Sequence, residues 1–399
     1  MTKAKNISNR KLLSIAGLGW LFDAMDVGML SFILAALQKE WNLSVQQMGW
    51  IGSVNSIGMA AGAFIFGLLA DKIGRKHVFV ITLLLFSVGS GLSAFSTTLA
   101  VFLLLRFLIG MGLGGELPVA STLVSETVPA KERGKVVVLL ESFWAGGWLI
   151  AALISFFIIP KFGWQTALLL SALPAFYALY LRWNLPDSPR FEAVQTKRSV
   201  FQNMADVWSG QYRRETIMLW VLWFCVVFSY YGMFLWLPSV MVMKGFSLIK
   251  SFQYVLIMTL AQLPGYFSAA WLIERAGRKF VLVTYLIGTA VSAYFFGNAE
   301  SLPLLLTSGI FLSFFNLGAW GGLYAYTPEQ YPTEIRGTGA GMAASFGRVG
   351  GILGPLLVGY LAAQQTSITM IFAIFCIAIV IGALSVLILG KETKAKELA

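Results

Sequence analysis

The chain has 399 residues, 58% of them hydrophobic and only 12% charged, with a formal net charge of +11. So much apolar side chain exceeds what one water-soluble core can hide, which excludes a soluble globular domain and reads as a polytopic membrane protein. Two cysteines, Cys225 and Cys376, and one histidine, His77, are too few and too scattered for a disulfide framework or a metal site.

Crossing the bilayer core takes about 20 mainly apolar residues per helix. Twelve such runs follow in chain order, at 12–37, 47–70, 78–96, 99–126, 136–158, 163–183, 216–243, 251–273, 280–297, 302–326, 338–362 and 367–389. The first follows MTKAKNISNRK without a small-residue cleavage site and is expected to be a retained helix. Of the 29 Lys and Arg residues, 23 fall on one side of this layout, four (Lys39, Lys161, Lys244, Lys250) on the other, and Arg106 and Arg348 inside spans. This positive-inside asymmetry accounts for the net charge without nucleic acid and predicts that both termini are cytoplasmic.

The first span carries two carboxylates, Asp23 and Asp26, in LGWLFDAMDVGMLSF. An ionised side chain at the bilayer centre costs at least ~2.5–3.5 kcal/mol on insertion scales, so it normally faces an aqueous cavity and finds a partner. At about 1.5 Å rise per residue, Asp23 lies roughly 16 Å and Asp26 roughly 21 Å from the inner edge. In the fourth span Arg106 lies roughly 11 Å from the outer edge and Glu116 roughly 15 Å from the inner edge. Asp26 and Arg106 are therefore expected to pair in the outer half, with Asp23 and Glu116 near one level. The two aspartates, three apart, share a helical face and repel; one of them can cycle a proton as a cavity opens and closes. A structural ion pair that only fixes packing is the alternative.

The fifth span supplies Trp144 and Trp148 one turn apart, the seventh Tyr230, Tyr231 and Trp236, and the tenth Trp320 and Tyr324. Gln262 and Asn316 are polar residues in mid-span. Together these are candidate walls for an aromatic substrate, although packing is the commoner use of such rings. Arg348 lies about ten residues into the eleventh span. It is a candidate counter-charge for an anionic substrate, since a guanidinium matches a carboxylate bidentately.

The chain repeats itself. ADKIGRK from Ala70 resembles IERAGRK from Ile273, and the same offset carries Glu126, Pro129, Arg133 and Gly134 onto Glu329, Pro332, Arg336 and Gly337. The expected fold is an all-α membrane protein of twelve transmembrane helices in two pseudo-symmetric six-helix bundles, 1–183 and 216–399, joined by a polar cytoplasmic linker, 184–215. Two like-oriented bundles can rock about a central site, which suits a carrier better than a pore. The charged loop residues Asp71, Arg75, Lys76, Glu126, Arg133, Arg278, Glu329 and Arg336 are expected to form ion pairs across the halves that hold an inner gate shut. Plain anchoring to the membrane surface would need only the bases.

GLLADKIGRK, Arg106 with Gly110, Gly112 and Gly114, SETVPAKERG, TPEQYPTEIRG, LPDSPR and GKETK resemble the major facilitator superfamily, in its sugar-porter-like and metabolite/proton symport branches. IGMGLGGELPVASTLVSE, SYYGMFLWLPS and the first-span segment are similar to bacterial niacin (nicotinate) transporters. That resemblance implies a secondary transporter importing a small aromatic carboxylate by alternating access with proton coupling, and related symporters carry an acid in helix 1 and an arginine in helix 4. The alternatives are a sugar or other aromatic-acid porter, a drug exporter, or a non-transporting membrane sensor. No GxSxG elbow, Walker-type loop or metal spacing marks an enzyme. No cofactor is expected. The expected partners are a small substrate, the proton and the lipid bilayer, for a monomeric protein in the cell membrane.

Overall fold

The computed structural model describes residues 9–394 except 74, 128–132, 175, 178–179, 181–199 and 333–334. Among the described residues every regular element is helical. The helices are α1 (Asn9–Glu40), α2 (Val45–Ile73), α3 (Arg75–Ser93), α4 (Leu99–Thr127), α5 (Arg133–Leu170), α6 (Val200–Val207), α7 (Arg213–Phe234), α8 (Leu237–Met243), α9 (Leu248–Leu260), α10 (Gln262–Ala276), α11 (Arg278–Gly297), α12 (Leu302–Tyr326), α13 (Arg336–Ala363) and α14 (Ile368–Leu389).

The repeat inferred from two loop motifs extends to the helix boundaries. Val45 and Leu248, Arg75 and Arg278, Leu99 and Leu302, and Arg133 and Arg336 each begin helices 203 residues apart, the separation that also divides the hydrogen-bonded pair Ser31 and Phe234. In the first half α1 packs along α5, and α4 lies between α2 and α3. In the second half α7 lies between α13 and α14, while α11 and α10 pack on α12. The halves meet along two seams, α2 on α13 and α5 on α9 and α10, which the repeat interchanges.

Where a predicted span divides in two, proline is the cause. Pro238 has no N–H for the carbonyl one turn back, so the seventh span divides into α7 and α8. The Phe234 carbonyl takes the Ser31 hydroxyl instead, at 3.1 Å. Pro264 likewise follows the division of the eighth span into α9 and α10. The fifth and sixth spans are two helices that meet at a sharp kink at Gly163 (φ 82°), three residues after Pro160, and α5 denotes both. Part of the expected linker is also structured: α6 tucks Val207 beneath the start of α7, where the Thr216 hydroxyl bonds its carbonyl at 2.7 Å.

Lipid tails supply no hydrophobic drive between apolar helices, so close backbone approach must hold the bundle together. α2 carries Gly58 and Gly62, and α4 carries Gly110 and Gly114, each pair one turn apart. A Cβ on any of them would strike a backbone carbonyl of the opposite helix: Phe107 and Met111 for the α2 glycines, Asn55 and Met59 for the α4 glycines. Gly110→Val is therefore expected to force α2 and α4 apart, at a cost of about 1–3 kcal/mol or more for overpacking. Thermal unfolding in detergent would show it as a lowered midpoint, with Gly341→Ala, which meets nothing within 4 Å, as the neutral control. Equal midpoints for the two variants would remove the interlock.

At the end of the bundle bearing Lys39 and Lys244, the halves are latched. Ser53 donates to the Ile352 carbonyl at 2.7 Å, Ser31 to Phe234, and Phe32 meets Phe252 edge to face at 5.3 Å. Gly49 and Gly359 lie so close that a Cβ on Gly359 would come within 3.1 Å of the Gly49 Cα.

Candidate functional site

Asp26 and Arg106 meet as the depth count anticipates. Arg106 Nη1 lies 3.2 Å from Asp26 Oδ2, and the other Asp26 oxygen accepts the Ser90 hydroxyl, so α1, α3 and α4 are tied at one point. Both charged side chains are buried, and the guanidinium lies over the Phe102 ring at 5.3 Å. Among the described residues Nε and Nη2 of Arg106 have no hydrogen-bond acceptor. The pair is therefore sealed from water yet only partly satisfied.

Asp23, one turn earlier, is also buried, at 2% exposure. On α7 the Tyr231 hydroxyl faces Arg348. Arg348 Nη1 lies 3.5 Å from that hydroxyl and 3.7 Å from Met59 Sδ, bringing α13, α7 and α2 together. Arg348 is only half-buried, unlike the aspartates. The Glu116 side chain lies outside the described residues, so its level relative to Asp23 is not part of the described geometry.

Between these charges stands a cage of rings contributed by both halves. Trp144 of α5 stacks on Trp320 of α12 at 6.2 Å and donates its indole N–H to the Tyr230 hydroxyl at 2.7 Å. Tyr230 lies 4.7 Å from Trp320, Trp148 meets Tyr230 edge-on at 6.3 Å, and Tyr231 stands perpendicular to Tyr230 at 5.2 Å. Trp320 continues to Tyr324 at 5.8 Å. Tyr324, half-buried like Arg348, forms the open edge. Six of the seven predicted aromatics thus converge. The seventh, Trp236, is fully buried at the junction of α7 and α8 and makes none of these ring contacts. Gln262 and Asn316 are buried, and the Gln262 amide and Asn316 Oδ1 bond no described residue.

Two residues of this cage escaped the sequence reading. Trp20 of α1 lies 5.9 Å from both Trp144 and Tyr324 and donates its indole N–H to Glu141 Oε2 of α5 at 3.2 Å. Glu141 has 0% exposure. Both carried a signal: Glu141 is a carboxylate inside the fifth apolar run, and Trp20 sits one turn before Asp23. Among the described residues no three His, Cys, Asp or Glu side chains converge as a metal site.

An aromatic cage at the seam of two repeated bundles, bordered by the Arg348 guanidinium and the Glu141 carboxyl, has the parts of a small-molecule carrier. The sequence model of the Major Facilitator Superfamily matches residues 16–268 and 254–399. The chain belongs to the Major Facilitator Superfamily. It is therefore a multi-pass membrane transporter and not an enzyme. It is 72% identical, over the full length of both chains, to a Bacillus subtilis (strain 168) protein provisionally named niacin/nicotinamide transporter NiaP. It is 46% identical to the niacin transporter NiaP of Acinetobacter baylyi, with 97% of this chain and 95% of that one covered. Among solved structures it is similar to the proton:xylose symporter XylE bound to 6-bromo-6-deoxy-D-glucose, at TM-score 0.78 and 20% identity, covering 98% and 97% of the two chains. It is likewise similar to a partially occluded inward open form of XylE from E. coli, at TM-score 0.78 and 19% identity over 98% and 99% of the chains.

In this superfamily member two of the expected gate residues, Arg278 and Glu329, pair with each other within the second half in this conformation. Gly277 takes φ 103° between α10 and α11, which turns the chain so that Arg278 reaches Glu274 at 2.7 Å and Glu329 at 3.1 Å. The Thr393 hydroxyl also bonds Glu329, and Glu392 accepts the backbone N–H groups of Arg278 and Lys279. All of these partners belong to the second half, because α10, α11 and the end of α12 converge there with the segment after α14. The Arg278 and Glu329 pairs thus tie one bundle together. The side chains of Asp71, Arg75, Lys76, Glu126, Arg133 and Arg336 lie outside the described residues.

Proposed function

We propose that the chain imports nicotinate across the cell membrane by alternating access, coupled to protons, as a monomer with both termini in the cytoplasm. The bundles 1–183 and 216–399 act as the rocking units and 184–215 as the cytoplasmic linker. The names of the two niacin-transporting relatives support the substrate, and the observation that carries the reading is Arg348 at the open edge of the cage. Stacked indoles and phenols suit a flat heteroaromatic ring, and a half-exposed guanidinium beside them suits its carboxylate. The latch between Ser53 and Ile352 closes the lysine-poor end, so the Arg348 and Tyr324 edge faces the cytoplasm in this conformation, as after substrate delivery.

Proton coupling is assigned to Asp23 and Asp26, with Arg106 as the cation that biases Asp26, and with Glu116 on the same pathway. Both aspartates are sealed here, so the reading requires that rocking opens them to water in the outward-facing state. Uptake of labelled nicotinate into proteoliposomes tests the whole. An inward-directed proton gradient should raise accumulation above the equilibrium level, nicotinate and nicotinamide should compete better than glucose, and an uncoupler should abolish the excess. Accumulation that ignores the gradient would remove the coupling. Competition by glucose alone would transfer the site to sugars.

A further inference from the structure

Glu141 has no part in the reading above, yet it is the most deeply placed carboxylate of the cage. It sits where α1, α5, α10 and α12 meet: Trp20 bonds its Oε2 and meets Tyr324 at 5.9 Å, and Val138, one turn before it, closes on Gly321 together with Tyr266. Its Oε1 accepts no hydrogen bond of good geometry among the described residues, the Trp320 indole N–H standing nearby but outside bonding geometry, and the Tyr266 hydroxyl is likewise without a partner among them. No cation of the described residues forms an ion pair with it, whereas Asp26 has Arg106. A carboxylate charge without a cation is disfavoured in such a place, whereas a neutral carboxyl keeps one O–H to donate. Trp20, which bonds Glu141 and meets Tyr324 at 5.9 Å, and Tyr231, which faces Arg348, belong to the same ring cluster, so both groups border one set of aromatic walls.

We propose that Glu141 is the specificity-determining residue for the ring: its protonated carboxyl donates a hydrogen bond to the ring nitrogen of a pyridine carboxylate whose carboxylate group is held by Arg348. This rests on the nicotinate reading and adds what distinguishes a pyridine from a benzene ring. A buried donor left without its acceptor penalises the analogue that lacks the nitrogen. Trp20 fixes Oε2, which leaves Oε1 as the donor position, and it draws α1 into the same contact.

The test compares binding of nicotinate and benzoate, which differ only at the ring nitrogen, to the purified full-length protein by tryptophan fluorescence. Wild type should bind nicotinate about tenfold more tightly or better, the effect of one buried hydrogen bond. Glu141→Met keeps the volume and removes the donor; its nicotinate-to-benzoate ratio should fall to about one while benzoate affinity stays within about twofold. Glu141→Gln keeps an acceptor for Trp20 and a donor for the ring, and should retain most of the discrimination even if the methionine variant does not fold. A merely structural Glu141 would weaken both ligands in proportion, and that result overturns the proposal, as does a collapsed ratio in Glu141→Gln. Equal wild-type affinity for both ligands overturns the role of Glu141 alone. Binding of neither overturns the nicotinate reading as well.

Discussion

Arg106→Leu is expected to destabilise the protein by about 3–5 kcal/mol, because it leaves Asp26 as an uncompensated charge among apolar helices. Asp26→Asn should cost a similar amount by stranding the guanidinium, whose Nε and Nη2 already lack acceptors among the described residues. The double variant Asp26→Asn/Arg106→Gln removes both charges and should recover much of the loss, so a double-mutant cycle would report a large coupling. Thermal unfolding in detergent measures all three. Additive losses would show that the 3.2 Å contact contributes nothing. The same proteins separate packing from proton coupling. A double variant that folds and equilibrates nicotinate but cannot concentrate it with a proton gradient places the coupling at this pair. Full accumulation moves it to Asp23.

The second large effect concerns Arg348. Removing a charge-assisted hydrogen bond costs about 1.5–3 kcal/mol, so Arg348→Ala should weaken nicotinate roughly 10- to 150-fold. Nicotinamide, which has no carboxylate, should bind the variant about as well as wild type. Arg348→Lys keeps the charge but not the planar fork, and should fall between the two. Parallel losses of nicotinate and nicotinamide would mean that Arg348 shapes the cavity through Tyr231 and Met59 instead of holding the anion. The Arg348 and Glu141 variants probe opposite ends of one ligand: the first should alter preference between acid and amide, the second between pyridine and benzene.

Much of the site could be anticipated from depth counting alone, because helix rise converts sequence position into position across the membrane. That is why Asp26 and Arg106, 80 residues apart, could be paired. Depth says nothing of rotation about the helix axis. Depth alone groups Trp236 with Tyr230 and Tyr231, but the break caused by Pro238 carries it out of the ring cluster. Recurrence of acids beside bases in the loops points to Arg278 and Glu329 as gate residues but not to their partners, which the positive φ at Gly277 sets within one bundle in this conformation. Glu141, a carboxylate in an apolar run like Asp23, carries the same signal in the sequence.

The sequence by itself determined the class of protein, the membrane spans, the two-fold repeat and the asymmetry of charge, since run length, offset and composition are all properties along one dimension. Only the tertiary structure decided which faces of α1, α5, α7, α12 and α13 turn to the common seam. It alone set Glu141 against Trp20 and Arg348 against Tyr231, and left the Arg348 edge more open than the aspartates. The reason is that helix rotation and tilt are fixed by glycine-mediated backbone contact and proline breaks between segments far apart in the chain, and each apolar run accepts many rotations until its neighbours select one.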